Sequence, residues 1–273
     1  MIETVYSSSP ALRHPSRFLA AAGEDLRRVP GTAWALFRSN VRGRHRRALL
    51  GYVWLLVPAT ATTVIWVYVQ SRRIISIAPT DLPYPVYVLA GTVLWQTFAD
   101  ALNAPLQQLN AGRALITRSR VSLEALILAG VYEVLLNSVV RLALLAAVLL
   151  AFRIPVGPGV LLVPFGIAAL VVLGSALGVL AAPVGLLYDD VGRGITLATG
   201  FWFFLTPVLY RTPPRGIVRW NPVTPLLDTT RAWLTSGEAS RGFVAVAVIS
   251  AGLLVMAWLF QRLARPHVVA RLG

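Results

Sequence analysis

Cysteine is absent from this chain, and so is lysine. Without cysteine there is no disulfide, no thiolate ligand for zinc or an iron–sulfur cluster, and no thiol nucleophile. Without lysine the phosphate-cradling sequence G-x-x-x-x-G-K-[ST] cannot occur anywhere in the 273 residues, so the chain is not a P-loop ATPase. Histidine is scarce: His14, His45 and His267 lie near the two ends, with no ligand pair on one helix face. No metal, cofactor or catalytic residue is therefore expected in this chain. Charge is sparse as well, at 13% of residues against 56% hydrophobic, far from the balance of a soluble domain.

What remains is a membrane composition. The expectation is an all-α membrane protein of six transmembrane helices, because six spans of roughly 20 residues fit the length with short loops to spare. The net charge of +14 does not point to nucleic acid: nine of the 25 arginines fall in the first 47 residues, just ahead of the first apolar run, where they orient the chain. The apolar stretch Phe18–Ala22 is too short for a signal peptide, and no cleaved signal is expected.

Residues 1–30 read as a mobile or lightly docked cytoplasmic arm, ahead of a transmembrane domain over 31–273. From about 32 to 49, Trp34, Leu36, Phe37 and Val41 alternate with Arg38, Arg42, Arg44, Arg46 and Arg47, the pattern of an amphipathic helix lying in the headgroups. Spans are predicted over about 50–70, 84–102, 123–152, 160–187, 195–210 and 243–260, with Pro105 closing the second. Gly174 and Gly178 in the fourth offer close helix approach. The polar segment 107–122 reads as a short inner helix. The segment 211–241 mixes prolines with Trp220, Leu226, Leu227 and Trp233, and reads as re-entrant gate helices or as simple surface helices. With both termini inside, the inner segments carry 16 arginines and Arg141 lies within a span, so both termini are predicted cytoplasmic.

Glu133, Asn137 and Arg141 recur at intervals of four in the third span, one polar stripe on a helix face. Glu133 and Arg141 stand about 12 Å apart along the axis, too far to pair, so each needs partners on other helices. The stripe is either part of a wet path or internal ion pairing that fixes helix packing. Asp189 and Asp190 read as a loop cap or partner contact, since Mg²⁺-diphosphate chemistry needs a second acidic cluster. Trp66, Tyr84, Tyr87, Trp95, Phe98, Trp202 and Phe203 anchor interfaces or stack on sugar rings along a passage.

Three stretches carry a family resemblance. Arg44–Pro58 reads RHRRALLGYVWLLVP, a basic patch followed by Leu50-Gly51, Trp54 and Pro58. TPVLY stands at Thr206–Tyr210 and NPVTPLLDTTR at Asn221–Arg231. In this order the chain resembles, from about Trp34 to its end, the permease subunit of type-2 ABC exporters that move lipid-linked polysaccharides such as O antigen, teichoic acid or capsule. It departs from that pattern at Ser39, Asn40 and His45, and in having Tyr188-Asp189-Asp190 where the family has Tyr-Arg-Asp. The resemblance implies a homodimer in a bacterial inner membrane, with ATP and Mg²⁺ held by a separate ATP-binding subunit. It implies a coupling segment at Gln107, Gln108, Asn110, Arg113, Arg118 and Arg120, joined by the interface helix, and an outer gate at Tyr210, Trp220, Asn221, Arg231 and Trp233. Other readings are an exporter of a drug or lipid, a polyprenyl-dependent transferase, and a self-powered secondary transporter, which should show internal repeats.

Overall fold

A computed structural model describes residues 15–47, 51–74, 79–118, 121–212, 216–235 and 238–272. Among them every regular element is helical: α1 (Pro15–Arg47), α2 (Val53–Ser71), α3 (Tyr84–Ala111), α4 (Arg113–Arg118), α5 (Leu123–Ala151), α6 (Val163–Leu187), α7 (Asp189–Leu205), α8 (Val223–Ala232) and α9 (Phe243–Leu272). Short 3-10 turns, Pro158–Leu162 and Ile217–Trp220, lead into α6 and α8. Helices α2, α5, α9 up to Arg265, and α6 with its leading turn are long and apolar enough to cross a membrane. The 19 residues of α2 alone rise about 28 Å, close to the hydrocarbon thickness.

The helix boundaries depart from the sequence reading in physically interpretable ways. The arm expected to stay irregular through Pro30 is helical from Pro15, so the interface helix is the second half of α1 and Pro30 lies inside it. Val29, Ala33, Leu36 and Phe37 pack α1 along Ala125, Ala129 and Tyr132 of α5, while Arg38 and Arg42 stay exposed on the other side. This stripe at helical spacing extends the helix beyond the basic run. Pro105 does not end the second apolar stretch: α3 continues through it to Ala111, because neighbouring helices enclose the freed backbone. The helix at the expected fifth span begins earlier, at Asp189, and stops at Leu205 before the turn that carries Pro207.

Between α1 and α2 the chain turns at Gly51, whose φ of 43° lies in the left-handed region that a side chain would strain. The bundle is organised around α3, which contacts α2, α5, α6, α7 and α8 and is buried along nearly its whole length. Lipid is as apolar as leucine, so helices associate there by close packing and polar pairs more than by a hydrophobic driving force. Gly174 and Gly178 of α6 supply the packing: a Cβ on Gly174 would sit 2.6 Å from the Phe98 carbonyl oxygen, and one on Gly178 would strike the Leu102 carbonyl. The backbones of α3 and α6 thus lie in direct contact, and α9 packs on the far side of α6. Helix α8 is enclosed by α3, α6 and α9 through Val223, Leu226, Leu227 and Thr230.

Candidate functional site

At one end of the bundle the polar stripe of α5 finds its partners. Asn40 of α1 donates to Glu133 Oε1 at 2.6 Å, and Gln108 of α3 donates to the same oxygen at 3.0 Å. The Asn40 amide also reaches Gln108 Oε1 at 3.3 Å. One buried carboxylate therefore ties α1, α3 and α5 together. Asn40 is a position where the chain departs from the family pattern, and here it supplies the donor. Two turns along, Arg141 is 4% exposed and pairs with Asp100 of α3 at 2.7 Å. Between these anchors, Thr97 of α3 and Ser138 of α5 share a buried hydrogen bond of 3.1 Å. Asn137 lies in the same stripe, and its Oδ1 has no hydrogen-bond partner among the described residues.

Asp100 was missed by the sequence reading, although it is the acid inside the second apolar stretch and opposite in sign to the intramembrane Arg141. The two partners are unequally buried, with 5% of the Arg141 side chain exposed against 34% for Asp100. Asp100→Leu is therefore expected to cost about 3 kcal/mol by stranding a buried cation, and Arg141→Met distinctly less. The double variant should recover most of the loss. Thermal unfolding of the three purified proteins in detergent checks this order, which an unpaired, merely space-filling Arg141 would not produce.

The short helix α4 sits beyond the end of α3. Arg113 at its start donates to Asn110 Oδ1 at 3.2 Å, to the Leu186 carbonyl at 3.0 Å and to Asp189 Oδ1 at 3.1 Å. It locks the α3–α4 corner to the α6–α7 junction. Asp189 opens α7, where a carboxylate also favours the positive end of the helix dipole, and Asp190 pairs with Arg193 at 3.3 Å. Gln107 is exposed and Arg118 lies in the last turn of α4, while Arg120 falls outside the described residues. Arg44, Arg46 and Arg47 occupy the last turns of α1.

At the opposite end, α8 folds back into the bundle. Arg231 is 5% exposed; its guanidinium lies over the Tyr87 ring, 3.8 Å from the centroid, and donates to the carbonyls of Pro207 at 3.0 Å and Val208 at 3.4 Å. Gly91 of α3 leaves the space this guanidinium fills. Tyr84 and Tyr87 donate to the carbonyls of Leu209 and Tyr210 at 3.3 and 2.9 Å, holding the same strand of chain. Asp228 stands 4.0 Å from Arg231 and receives the Thr212 hydroxyl. Burial pushes its carboxyl above the ordinary range, against the opposing pull of Arg231. Asp228, which the sequence reading did not single out, lines a polar cavity of about 860 Å³ with Asp81, Arg211, Arg231 and Glu238.

Asn221 joins this end to the aromatic cluster. It accepts from Trp202 Nε1 at 3.1 Å and from the Val223 amide at 3.0 Å, and donates to Thr206 Oγ1 at 2.8 Å. Trp202 meets Phe98 edge-on at 5.2 Å and Trp95 at 6.3 Å, and Phe203 meets Trp95 at 5.9 Å. Trp233 stacks edge-on with Phe243 at 4.9 Å, and Trp220 is exposed. Tyr84, Tyr87, Trp95 and Phe98 are all buried, so within one copy they are packing and not the wall of an open passage. The reason is the enclosure of α3 on all sides. Trp66, Trp202 and Phe203 are half-buried at its edge. Outward aromatics lie elsewhere, among them Trp54 and Tyr68 of α2 and Phe201 and Phe204 of α7, at helical spacing that sequence shows but cannot orient.

No protein-family model matches the chain. It is similar to the polysialic acid transport protein KpsM of Escherichia coli, at 21% identity over 82% of this chain and 88% of that one. It is also similar to the O-antigen export system permease protein RfbA of Myxococcus xanthus, at 23% identity over 68% of this chain and 70% of its relative. The Klebsiella pneumoniae permease of the same name is 19% identical over 80% of this chain and 85% of that one.

Proposed function

We propose that this multi-pass membrane protein, whose relatives support a type-2 ABC permease for polysaccharide export, is the membrane half of an ATP-driven exporter of lipid-linked polysaccharide. In this reading α3 and α7 complete six spans with α2, α5, α6 and α9, and both termini are cytoplasmic. ATP is bound by a separate subunit in this reading, which agrees with the lack of any lysine, and so of a P-loop, in these 273 residues. The observation that carries the reading is similarity to polysaccharide-export and O-antigen-export permeases across most of the sequence.

The passage then forms between two copies, not within one. Helices α2 and α7 are the natural walls, since each carries two exposed aromatics on its outward face while α3 is spent on packing. Flat aromatic faces stack on sugar rings without fixing a charge, which suits a long neutral polymer. The enclosed α8, braced by Arg231 and Asn221, acts as the re-entrant outer gate. The α3–α4 corner receives the push of ATP-driven closure, and the rigid α3 carries it past Gln108–Glu133 and Asp100–Arg141 toward the aromatic cluster.

The test is co-expression with an ABC-type ATP-binding subunit from the same genome. The two chains should co-purify, and a lipid-linked glycan should stimulate hydrolysis; failure to associate defeats the proposal. Arg113→Ala is expected to leave the assembled complex and its basal hydrolysis intact while cutting the glycan-stimulated increment about tenfold, a coupling loss of about 1.4 kcal/mol. An unchanged increment would remove Arg113 from the coupling role.

A further inference from the structure

A second site lies on the flank of the bundle, away from the aromatic cluster and the gate. Between α5, α6 and α9, with Val29 of α1 at its edge, is a cavity of about 290 Å³. Its walls are apolar, built by Ile127, Val131, Val171, Val172, Val179 and Leu254. Its rim residues Val172, Leu254 and Trp258 are half-buried, so it opens on the outer surface of three helices that are each long and apolar enough to cross a membrane.

One end of this apolar groove is polar and unfinished. Gln261 is 5% exposed, and among the described residues neither its Oε1 nor its Nε2 has a hydrogen-bond partner. The Trp258 Nε1, one turn back along α9, and the Ser175 hydroxyl, midway along α6, line the same cavity and also lack partners among the described residues. Leaving a buried polar group unsatisfied costs about 1–3 kcal/mol, so several converging on one space mark a place where a ligand completes the hydrogen bonding. Beside them Glu124 is paired with Arg262 at 3.7 Å and Arg265 at 4.0 Å, which places two guanidinium groups at this end of the groove.

Depth in the membrane fits this division. Glu124 is the second residue of α5, and Gln261 lies within the last turns of the apolar stretch Phe243–Arg265. The polar cluster is therefore at headgroup level, and the walls at Val131 and Val171 run inward at hydrocarbon level. Apolar walls, unpaired N–H donors and the partly exposed Arg265 guanidinium at the interfacial end together describe an anionic amphiphile.

We propose that this groove holds one acyl chain of an anionic phospholipid, whose phosphate accepts from Trp258 Nε1 and Gln261 Nε2 beside Arg265. The site binds membrane lipid and not cargo, and it rests only on insertion of α5, α6 and α9, so it stands or falls separately from the export reading.

The test uses the full chain in phosphatidylcholine nanodiscs, with a phosphatidylglycerol probe carrying a diazirine in its acyl chain. Mapped by mass spectrometry, label should concentrate on 171–179 and 254–258, and unlabelled phosphatidylglycerol should compete about fivefold better than phosphatidylcholine, a difference of about 1 kcal/mol. Leu254→Trp, which fills the groove, should cut this labelling about fivefold, again about 1 kcal/mol. Gln261→Leu, which keeps the shape, should keep the label on the walls and erase the preference for the anionic headgroup. Label spread evenly over the exposed Val244, Val248 and Ile249, equal competition by the two lipids, or no change in preference with Gln261→Leu would each overturn the proposal. Cross-linking of benzoylphenylalanine at position 254 to a second copy would do the same, by making the groove a protein interface.

Discussion

Arg231→Met is expected to destabilise the protein by about 3–5 kcal/mol, the range for breaking a buried charge network by removing one partner. The guanidinium is 5% exposed and does three things at once: it stacks on Tyr87, donates to the carbonyls of Pro207 and Val208, and faces Asp228. Methionine fills the volume but takes a buried donor from two carbonyls and leaves Asp228 without the stronger of its two countercharges, Arg211 alone remaining. Arg231→Lys should recover only part of the loss, because a single ammonium cannot present a planar fork to two carbonyls while lying flat on a ring.

Asp228→Asn should cost least of the three. Its carboxyl is raised by burial, so ionisation works against the fold: the penalty grows as pH rises through the folded pKa and vanishes once the group is protonated. Any advantage of asparagine over aspartate should therefore be largest at high pH and shrink on acidification. Intrinsic tryptophan fluorescence during thermal unfolding in detergent, at two pH values, reads all of these. An Arg231→Met protein that melts with the wild type would show that the docking of α8 does not depend on this cation.

Gly178→Ala is expected to cost about 1–3 kcal/mol, and Gly174→Leu with Gly178→Leu to prevent assembly of the α3–α6 pair. The added atoms meet backbone, which cannot rotate away: the Leu102 carbonyl at position 178, and the Phe98 carbonyl at 2.6 Å with the Leu102 nitrogen at 3.0 Å at position 174. Gly252→Ala on α9 is the control, since a Cβ there meets nothing within 4 Å. It should be neutral or gain up to about 1 kcal/mol from helix propensity. If Gly178→Ala and Gly252→Ala behaved alike, direct backbone contact between α3 and α6 would be wrong. Because α3 carries partners of Glu133, Arg141, Arg113 and Arg231, wedging it from α6 should also abolish any transport, independently of which cargo is moved.

Much of the helical layout was legible because it follows from periodicity and from the absence of charge over long runs. The helices expected at the first, third, fourth and sixth spans coincide with the four that are long and apolar enough to cross a membrane. The small residues Gly174 and Gly178 signalled a close approach, though not which helix would make it. Helix α3 was harder to place in its role. Its sequence mixes Thr92, Gln96, Thr97, Asp100 and Asn103 with apolar residues, which marks a helix surrounded by protein, not one facing lipid. The same ambiguity made its tyrosines and Trp95 look like passage residues. A buried aromatic and a channel aromatic have identical local sequence, and only the neighbours on the other side of the ring distinguish them.

By itself the sequence determined what this protein is made to dissolve in and what it cannot do. Composition fixes a lipid-embedded helical chain, and the lack of lysine and cysteine removes P-loop hydrolysis and thiol chemistry whatever the fold. Only the tertiary structure decided which polar groups meet. Arg141 with Asp100, Glu133 with Asn40 and Gln108, Arg113 with Asp189, and Arg231 with Tyr87 are all separated by more than 24 residues and join different helices. The physical reason is that one-dimensional spacing sets the face a side chain occupies on its own helix, whereas its partner depends on the rotation and depth of another helix, which backbone contact at the glycines sets in three dimensions.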